Sequence, residues 1–425
     1  MKKILALLLA LTMVFALCAC GGSSAPAAEA PAAEAPAGEK VTLDVIISQY
    51  GNKTQEWWTK FESDFEAANQ DIDLKIEIVS WNDIYQVVNT RISTNSQPDI
   101  LNISGFADYV ADDLLMPAEE YVSAKTKEVL IPSFWESNAI DGTVWALPIL
   151  ASCRALFCNM DILNAAGIET PPTTWEEVMD ACAAIKASDP NVVPWGLDIS
   201  TDEGQAAFAY YTWSYGGGFV DADGNWALNS PENVEAIEFA LSLYSNGYTN
   251  PQPATQTRYD LQDMFAAGKL AMVIAPNSLP TYAADKDSTV NMATAAIPAN
   301  DGKTSSSVGV MDRVMAFKDE SAPDQAARDE AIGKFLTFFY DPENYVGWVS
   351  MEGFLPAVNS AVEALVAADP SFEAWLDVLS SCQFYPTAKA EWDAVKQGVI
   401  TAEQNALAGA SVQDELDALQ AEIAG

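Results

Sequence analysis

Val41-Thr-Leu-Asp-Val-Ile-Ile47 is a run of apolar and β-branched residues, the composition of a strand. Outward from it, a helix is expected from about Thr54, because Trp58, Phe61 and Phe65 recur at the spacing of one helical face. Leu74, Ile76 and Ile78 then alternate strictly with polar residues, which marks a second strand. A second helix is expected around Asp83 to Thr94, and Asp99-Ile-Leu-Asn-Ile-Ser104 reads as a third strand. Strand, helix, strand, helix, strand is the rhythm of a parallel sheet covered by helices, so the class is α/β.

The rhythm changes after Thr143. The apolar stretch from Thr143 to Phe157, interrupted by Pro148, is long enough to pass from one lobe to another. Thr174-Trp-Glu-Glu177 has the form of a capping box, in which the first side chain and the fourth satisfy each other's backbone N–H groups. The helix it opens carries Val178, Met179, Cys182 and Ile185 on its apolar face and stops at Asp189-Pro190. Another helix has Ser230 at its cap, Pro231 in its first turn and Gly247 past its end. Helices dominate thereafter, with short β stretches at Leu270 to Ala275 and Val308 to Phe317.

The first residues bear on location. Lys2 and Lys3 precede an apolar run from Ile4 to Leu17 broken only by Thr12, shorter than the ~20 residues that span a bilayer. Residues 1–19 therefore read as an export signal removed on processing. Leu17-Cys18-Ala19-Cys20 resembles the bacterial lipobox, and that resemblance implies that Cys20 is acylated and becomes the new N-terminus. Residues 20–39, rich in Ala, Pro and Glu, have nothing to bury and read as a tether. The rest is long enough for two lobes.

Composition excludes several kinds of function. The chain has 60 acidic and 21 basic residues, a formal charge of −39. A field of that sign repels nucleic acid and anionic lipid. There is no histidine, which removes the usual general base, every Ser-His or Cys-His pair and the commonest zinc ligand. Cys153, Cys158, Cys182 and Cys382 lack paired zinc or redox spacing and are expected to be buried free thiols, although export would permit pairing. Asp221, Asp223, Asn225 and Glu232 fall at calcium-loop positions, but Trp226 stands where the loop needs glycine. Asp223-Gly224 reads instead as a hairpin turn between Phe219-Val220 and Trp226-Ala227-Leu228. Gly302-Lys303-Thr304 reads as a surface turn, since Ile297 occupies the place of a phosphate loop's first glycine. Two carboxylates suffice for glycoside cleavage, but with 60 acids any chosen pair is expected by chance. No metal, cofactor or catalytic residue is assigned.

Several stretches together resemble the extracellular solute-binding proteins of ATP-driven sugar importers, the group that includes maltose-binding protein. They are Trp81-Asn-Asp-Ile-Tyr85, Arg91-Ile-Ser-Thr94, Pro98-Asp-Ile-Leu101, Gly142-Thr-Val-Trp-Ala-Leu-Pro148 and Ala155-Leu-Phe-Cys-Asn159. Ala166-Gly-Ile168 with Pro171-Pro-Thr-Thr-Trp-Glu-Glu177 is the most specific, and Phe265-Ala-Ala-Gly-Lys-Leu-Ala-Met272 and Val308-Gly-Val310 follow. The resemblance implies a two-lobe, type II periplasmic-binding-protein-like fold with ligand in the cleft. The first lobe would be residues 40–152 with 313–357, the second 153–312 with 358–425, and the passages would lie near Leu150 to Arg154, Val310 to Arg313 and Leu355 to Val358. It further implies a monomer that carries a mono- or oligosaccharide to membrane permease subunits from the outer face of the cytoplasmic membrane.

Open α/β sheets bind ligands beyond the carboxyl ends of their strands. That edge nominates Gln49, Tyr50, Ser104 and Phe106, with Trp81 after the second strand. On the other lobe it nominates Asp198, Trp213 and Asn277, with Asp312 and Arg313 at the second passage. Pro386-Thr-Ala-Lys-Ala-Glu-Trp392 resembles the family segment whose tryptophan stacks on sugar, which nominates Trp392. Aromatic rings suit the C–H faces of a pyranose, and amides and carboxylates suit its hydroxyls. Cys20→Ala is expected to release the protein into the medium or to block its processing, read by fractionation. A variant that stays membrane-bound and normally processed contradicts the lipobox reading.

Overall fold

A computed structural model describes residues 40–300, 302–303, 305–380 and 382–424. The expected signal segment, Cys20 and the tether lie outside the described residues, as do Asp301 and Thr304 of the expected surface turn. Among the described residues no helix is long and apolar enough to cross a membrane.

The strands of the main sheet are β1 (Val41–Ser48), β2 (Ile72–Val79), β3 (Ile100–Ile103), β4 (Leu147–Asn159), β5 (Val193–Gly196), β6 (Leu270–Pro276), β7 (Met292–Ala295), β8 (Val308–Ala316) and β9 (Gln383–Phe384). They form one sheet in the order β2-β1-β3-β8-β4-β6-β5, with β9 beside β8 and β7 beside β4. The opening rhythm is present as read. β1 pairs in parallel with both β2 and β3, and helices Thr54–Ala68 and Ile84–Ser93 make the return crossings that parallel strands require.

Both faces of β1 are covered, so its apolar residues divide by parity. Val45 and Ile47 pack against Trp58, Phe61, Phe65, Phe335, Phe339 and Trp348 on one face. Ile46 packs with Ile84, Val88 and Leu101 on the other. A separate core gathers Leu156, Trp175, Cys182, Trp195 and Tyr211. The capping box at Thr174 and Glu177 forms there in both directions. The Asp223-Gly224 turn also forms: Val220 pairs with Trp226, and the Asp221 carboxylate accepts the backbone N–H groups of Asp223 and Asn225 at 2.9 Å each.

The two cores share strands. All 13 residues of β4 are buried. Its first half pairs with β8, while Arg154 to Cys158 pair with β6. β8 likewise places Val308 and Val310 in the second core and Val314 and Ala316 in the first. Leu355 bonds reciprocally with Ala151 at 2.9 Å. The helix Asn359–Ala368 still packs Ala361 and Leu365 in the first core, although the sequence reading assigned 358–425 to the second lobe. The chain makes its last change of core along helix Ser371–Ser380, where Phe372 lies against the first core and Trp375 against Phe157 of β4.

Candidate functional site

The strand ends of the two lobes face one another and touch. Tyr50 follows β1, and its carbonyl and that of Gln49 accept hydrogen bonds from the Tyr259 hydroxyl at 3.2 and 2.8 Å. Asp108 of the first lobe accepts the backbone N–H groups of Glu391 (3.0 Å) and Asp393 (3.3 Å), at the start of helix Trp392–Leu407. No side chain of that helix's own end caps it, so the cap comes from the other lobe. Lys396 lies over the Tyr85 ring at 3.6 Å. Gly105 permits this approach, because a Cβ there would sit 2.8 Å from Asp393 Oδ1.

Between these contacts lies a buried group of charges. Arg154 Nε donates to Glu203 Oε1 at 2.6 Å, and Arg258 lies 3.5 Å from Glu203 and 3.7 Å from Asp202. Burial opposes the charge on both arginines, but the carboxylates beside them more than reverse it. Asp312 faces the Tyr50 hydroxyl, and burial pushes its carboxyl up to about 6 against the pull of Tyr50 and three arginines. Burial likewise raises Asp393 to about 6 and lowers Lys396 to about 8. Asp198 and Glu403 are pushed up by burial and then by neighbouring carboxylates. Several of these buried atoms have no hydrogen-bond partner: both oxygens of Asp202, Asp198 Oδ2, Asp312 Oδ1, Asp393 Oδ1, Arg258 Nε and Trp392 Nε1. Such groups are costly to leave unmet, and acceptors outnumber donors among them.

The nominated residues divide. Tyr50 and Asp312 border this group, while Trp392, buried in the second core, stacks on Tyr385 at 5.3 Å with Phe219 edge-on at 5.2 Å. Asp198 lies at its inner end and gives one oxygen to Ser200 N. Gln49 reaches it only through its carbonyl. Trp81 packs edge-on against Tyr50 at 5.8 Å and is half-buried. Ser104 lies 3.3 Å from the Tyr85 hydroxyl. Phe106 lies under Arg313, which is itself engaged by Asn138 Oδ1, Ser104 O and Met311 O. Trp213 is buried in the second core beside Phe219. The Asn277 amide is engaged at the passages, accepting from Cys153 N (3.1 Å) and donating to Gly353 O (2.9 Å).

Sequence reasoning missed Arg154, Asp202, Glu203, Arg258, Tyr259, Tyr385, Asp393 and Lys396. Arg154 had a readable signal, since a lone arginine inside an otherwise apolar strand is rarely buried without a partner. Asp393 and Lys396 stand at i and i+3 of one helix, beside a tryptophan already nominated. The remainder become neighbours only through folding.

A family model described as bacterial extracellular solute-binding protein matches residues 50–346. The chain belongs to that family. A Brucella abortus protein named as a binding protein is 30% identical over 312 residues, 73% of this chain and 74% of that one. A maltose-bound Thermotoga maritima protein, MalE3, superposes with a TM-score of 0.79 at 19% identity, covering 90% of this chain and 98% of that one. A sugar transporter from Arthrobacter chlorophenolicus A6 with bound laminaribiose gives 0.78 at 19% identity, with the same coverage. The fold is thus the two-lobe α/β fold of these binding proteins.

Asp312 makes a pH prediction. Its folded value of about 6 exceeds the ~3.9 of an unfolded aspartate. Between those values the folded chain holds a proton that the unfolded chain has released, so its contribution to stability falls as pH rises through that window. Above about 6 the full penalty remains, on the order of 3 kcal/mol. Asp312→Asn is expected to flatten the decline in stability between about pH 4 and pH 6, measured by urea unfolding. An unchanged profile contradicts the buried-carboxylate account.

Proposed function

We propose that the protein captures a neutral carbohydrate outside the cell and delivers it to the permease subunits of an ATP-driven importer, without chemical change. The observation that carries this reading is the set of buried carboxylate oxygens without a hydrogen-bond partner beside the Trp392–Tyr385 stack. Sugar hydroxyls would donate to those oxygens, and a pyranose face would lie on the rings. An anionic ligand would bring yet more acceptors into a group already rich in them. The sugars named with MalE3 and with the Arthrobacter transporter agree with this class of ligand.

In the same reading the protein is a monomer held on the outer face of the cytoplasmic membrane by acylated Cys20, with residues 20–39 as its tether. The lobes meet at passages near Leu150 to Arg154, near Val310 to Arg313 and, in place of the expected Leu355 to Val358, along helix Ser371–Ser380.

Thermal unfolding with maltose, laminaribiose, common monosaccharides and their phosphate esters tests the reading. A sugar at a hundred times its dissociation constant stabilises the fold by ~2.7 kcal/mol. At least one neutral sugar is expected to do so, and Trp392→Ala should weaken its binding at least tenfold. Stabilisation by phosphate esters alone, or steady release of a cleaved product, contradicts the proposal.

A further inference from the structure

Cys153 and Cys382 meet where the lobes join. Cys153 lies in β4, next to the point where that strand leaves the first core. Cys382 follows helix Ser371–Ser380, where the chain makes its last passage. Both belong to a small apolar cluster with Ala151, Leu355 and Leu379.

Gly309 explains how they come together. It pairs directly with Cys153 across the β4–β8 ladder, and directly opposed residues of an antiparallel pair share a face. A Cβ on Gly309 would lie 2.8 Å from the Cys382 Cβ and 2.7 Å from the Phe384 ring. The bare glycine is therefore a socket that seats Cys382 over the face carrying the Cys153 side chain. There the two thiols lie close enough to shift each other's ionisation. The Cys382 sulfur also lies 3.3 Å from Val378 O.

We propose that Cys153 and Cys382 are a disulfide-forming pair that ties the first passage between the lobes to the last. Their reactivities suit an ordered exchange. Cys382 is partly exposed, and the neighbouring Cys153 thiol, then Ser307 and Arg154, hold its own thiol below the ordinary value. Cys153 is buried and pushed up, first by the Cys382 thiol beside it and then by desolvation. The Cys382 thiolate attacks a small-molecule disulfide, forming a mixed disulfide and releasing one reagent thiol. Cys153 then gives up its proton and attacks the Cys382 sulfur, and the second reagent thiol leaves. The two protein thiols lose two protons and two electrons, and the reagent's disulfide gains them. Cys158 and Cys182 lie fully buried in the second core and are not part of the exchange.

The full chain is incubated with oxidised glutathione, unfolded, alkylated, digested without reductant and mapped by mass spectrometry. The expected product is a Cys153–Cys382 cross-linked peptide that dithiothreitol abolishes. The thermal midpoint of the oxidised chain should rise by several degrees, and Cys382→Ser should remove both the peptide and the rise. Cys158→Ser should keep both. Full alkylation of Cys153 and Cys382 after oxidation, glutathione retained on Cys382, or pairing of either residue with Cys158 or Cys182 overturns the proposal. Peptide mapping of the unsubstituted chain gives this answer even if a variant fails to fold.

Discussion

β4 is one buried strand that two cores share. Its 13 residues are shielded throughout, yet its neighbours change from β8 to β6 partway along, so neither lobe is complete without it. That continuity fixes where the lobes join. It also fixes which strand ends face each other. Arg154, the charged residue in this strand, stands at the change of partner and points its guanidinium into Glu203. The same strand therefore carries both the architecture and the innermost polar contact of the site.

The site follows from the electrostatics of that junction. Arginines, carboxylates and Lys396 are buried together, and a buried charge is tolerated only when it is paired or neutralised. Arg154 and Arg258 are paired by Glu203 and Asp202, whereas Asp198, Glu403, Asp312 and Asp393 answer burial by rising toward neutrality. The result is a buried group in which several carboxylate oxygens lack a hydrogen-bond partner, with a stacked aromatic pair at its side. The inter-lobe cap from Asp108 to helix Trp392–Leu407 adds a reason for the lobes to stay together, because opening them would leave that helix end without its acceptor.

The fold was largely legible, because its signals are local. Alternation in β2, the aromatic face of Thr54–Ala68 and the capping box at Thr174 each need only a few consecutive residues. The family resemblance was legible for the same reason. The site was legible only in part. Tyr50 follows from a strand end, Asp312 from the second passage and Trp392 from one segment, but Arg258, Tyr259 and Tyr385 join them from distant elements, and no spacing rule connects those positions. Asn277 shows the opposite failure: it stands at a strand end, as nominated, yet its amide is held by Cys153 N and Gly353 O. Strand position alone does not say whether a polar side chain is already occupied.

The proposed function places the ligand between two lobes that close on it. Closure gains free energy only to the extent that the ligand binds the closed arrangement better than the open one. Small-angle scattering of the protein, with and without a sugar shown to saturate it, measures this most directly. A smaller radius of gyration with sugar is the result this account predicts. An identical radius in both conditions, at proven saturation, would contradict it.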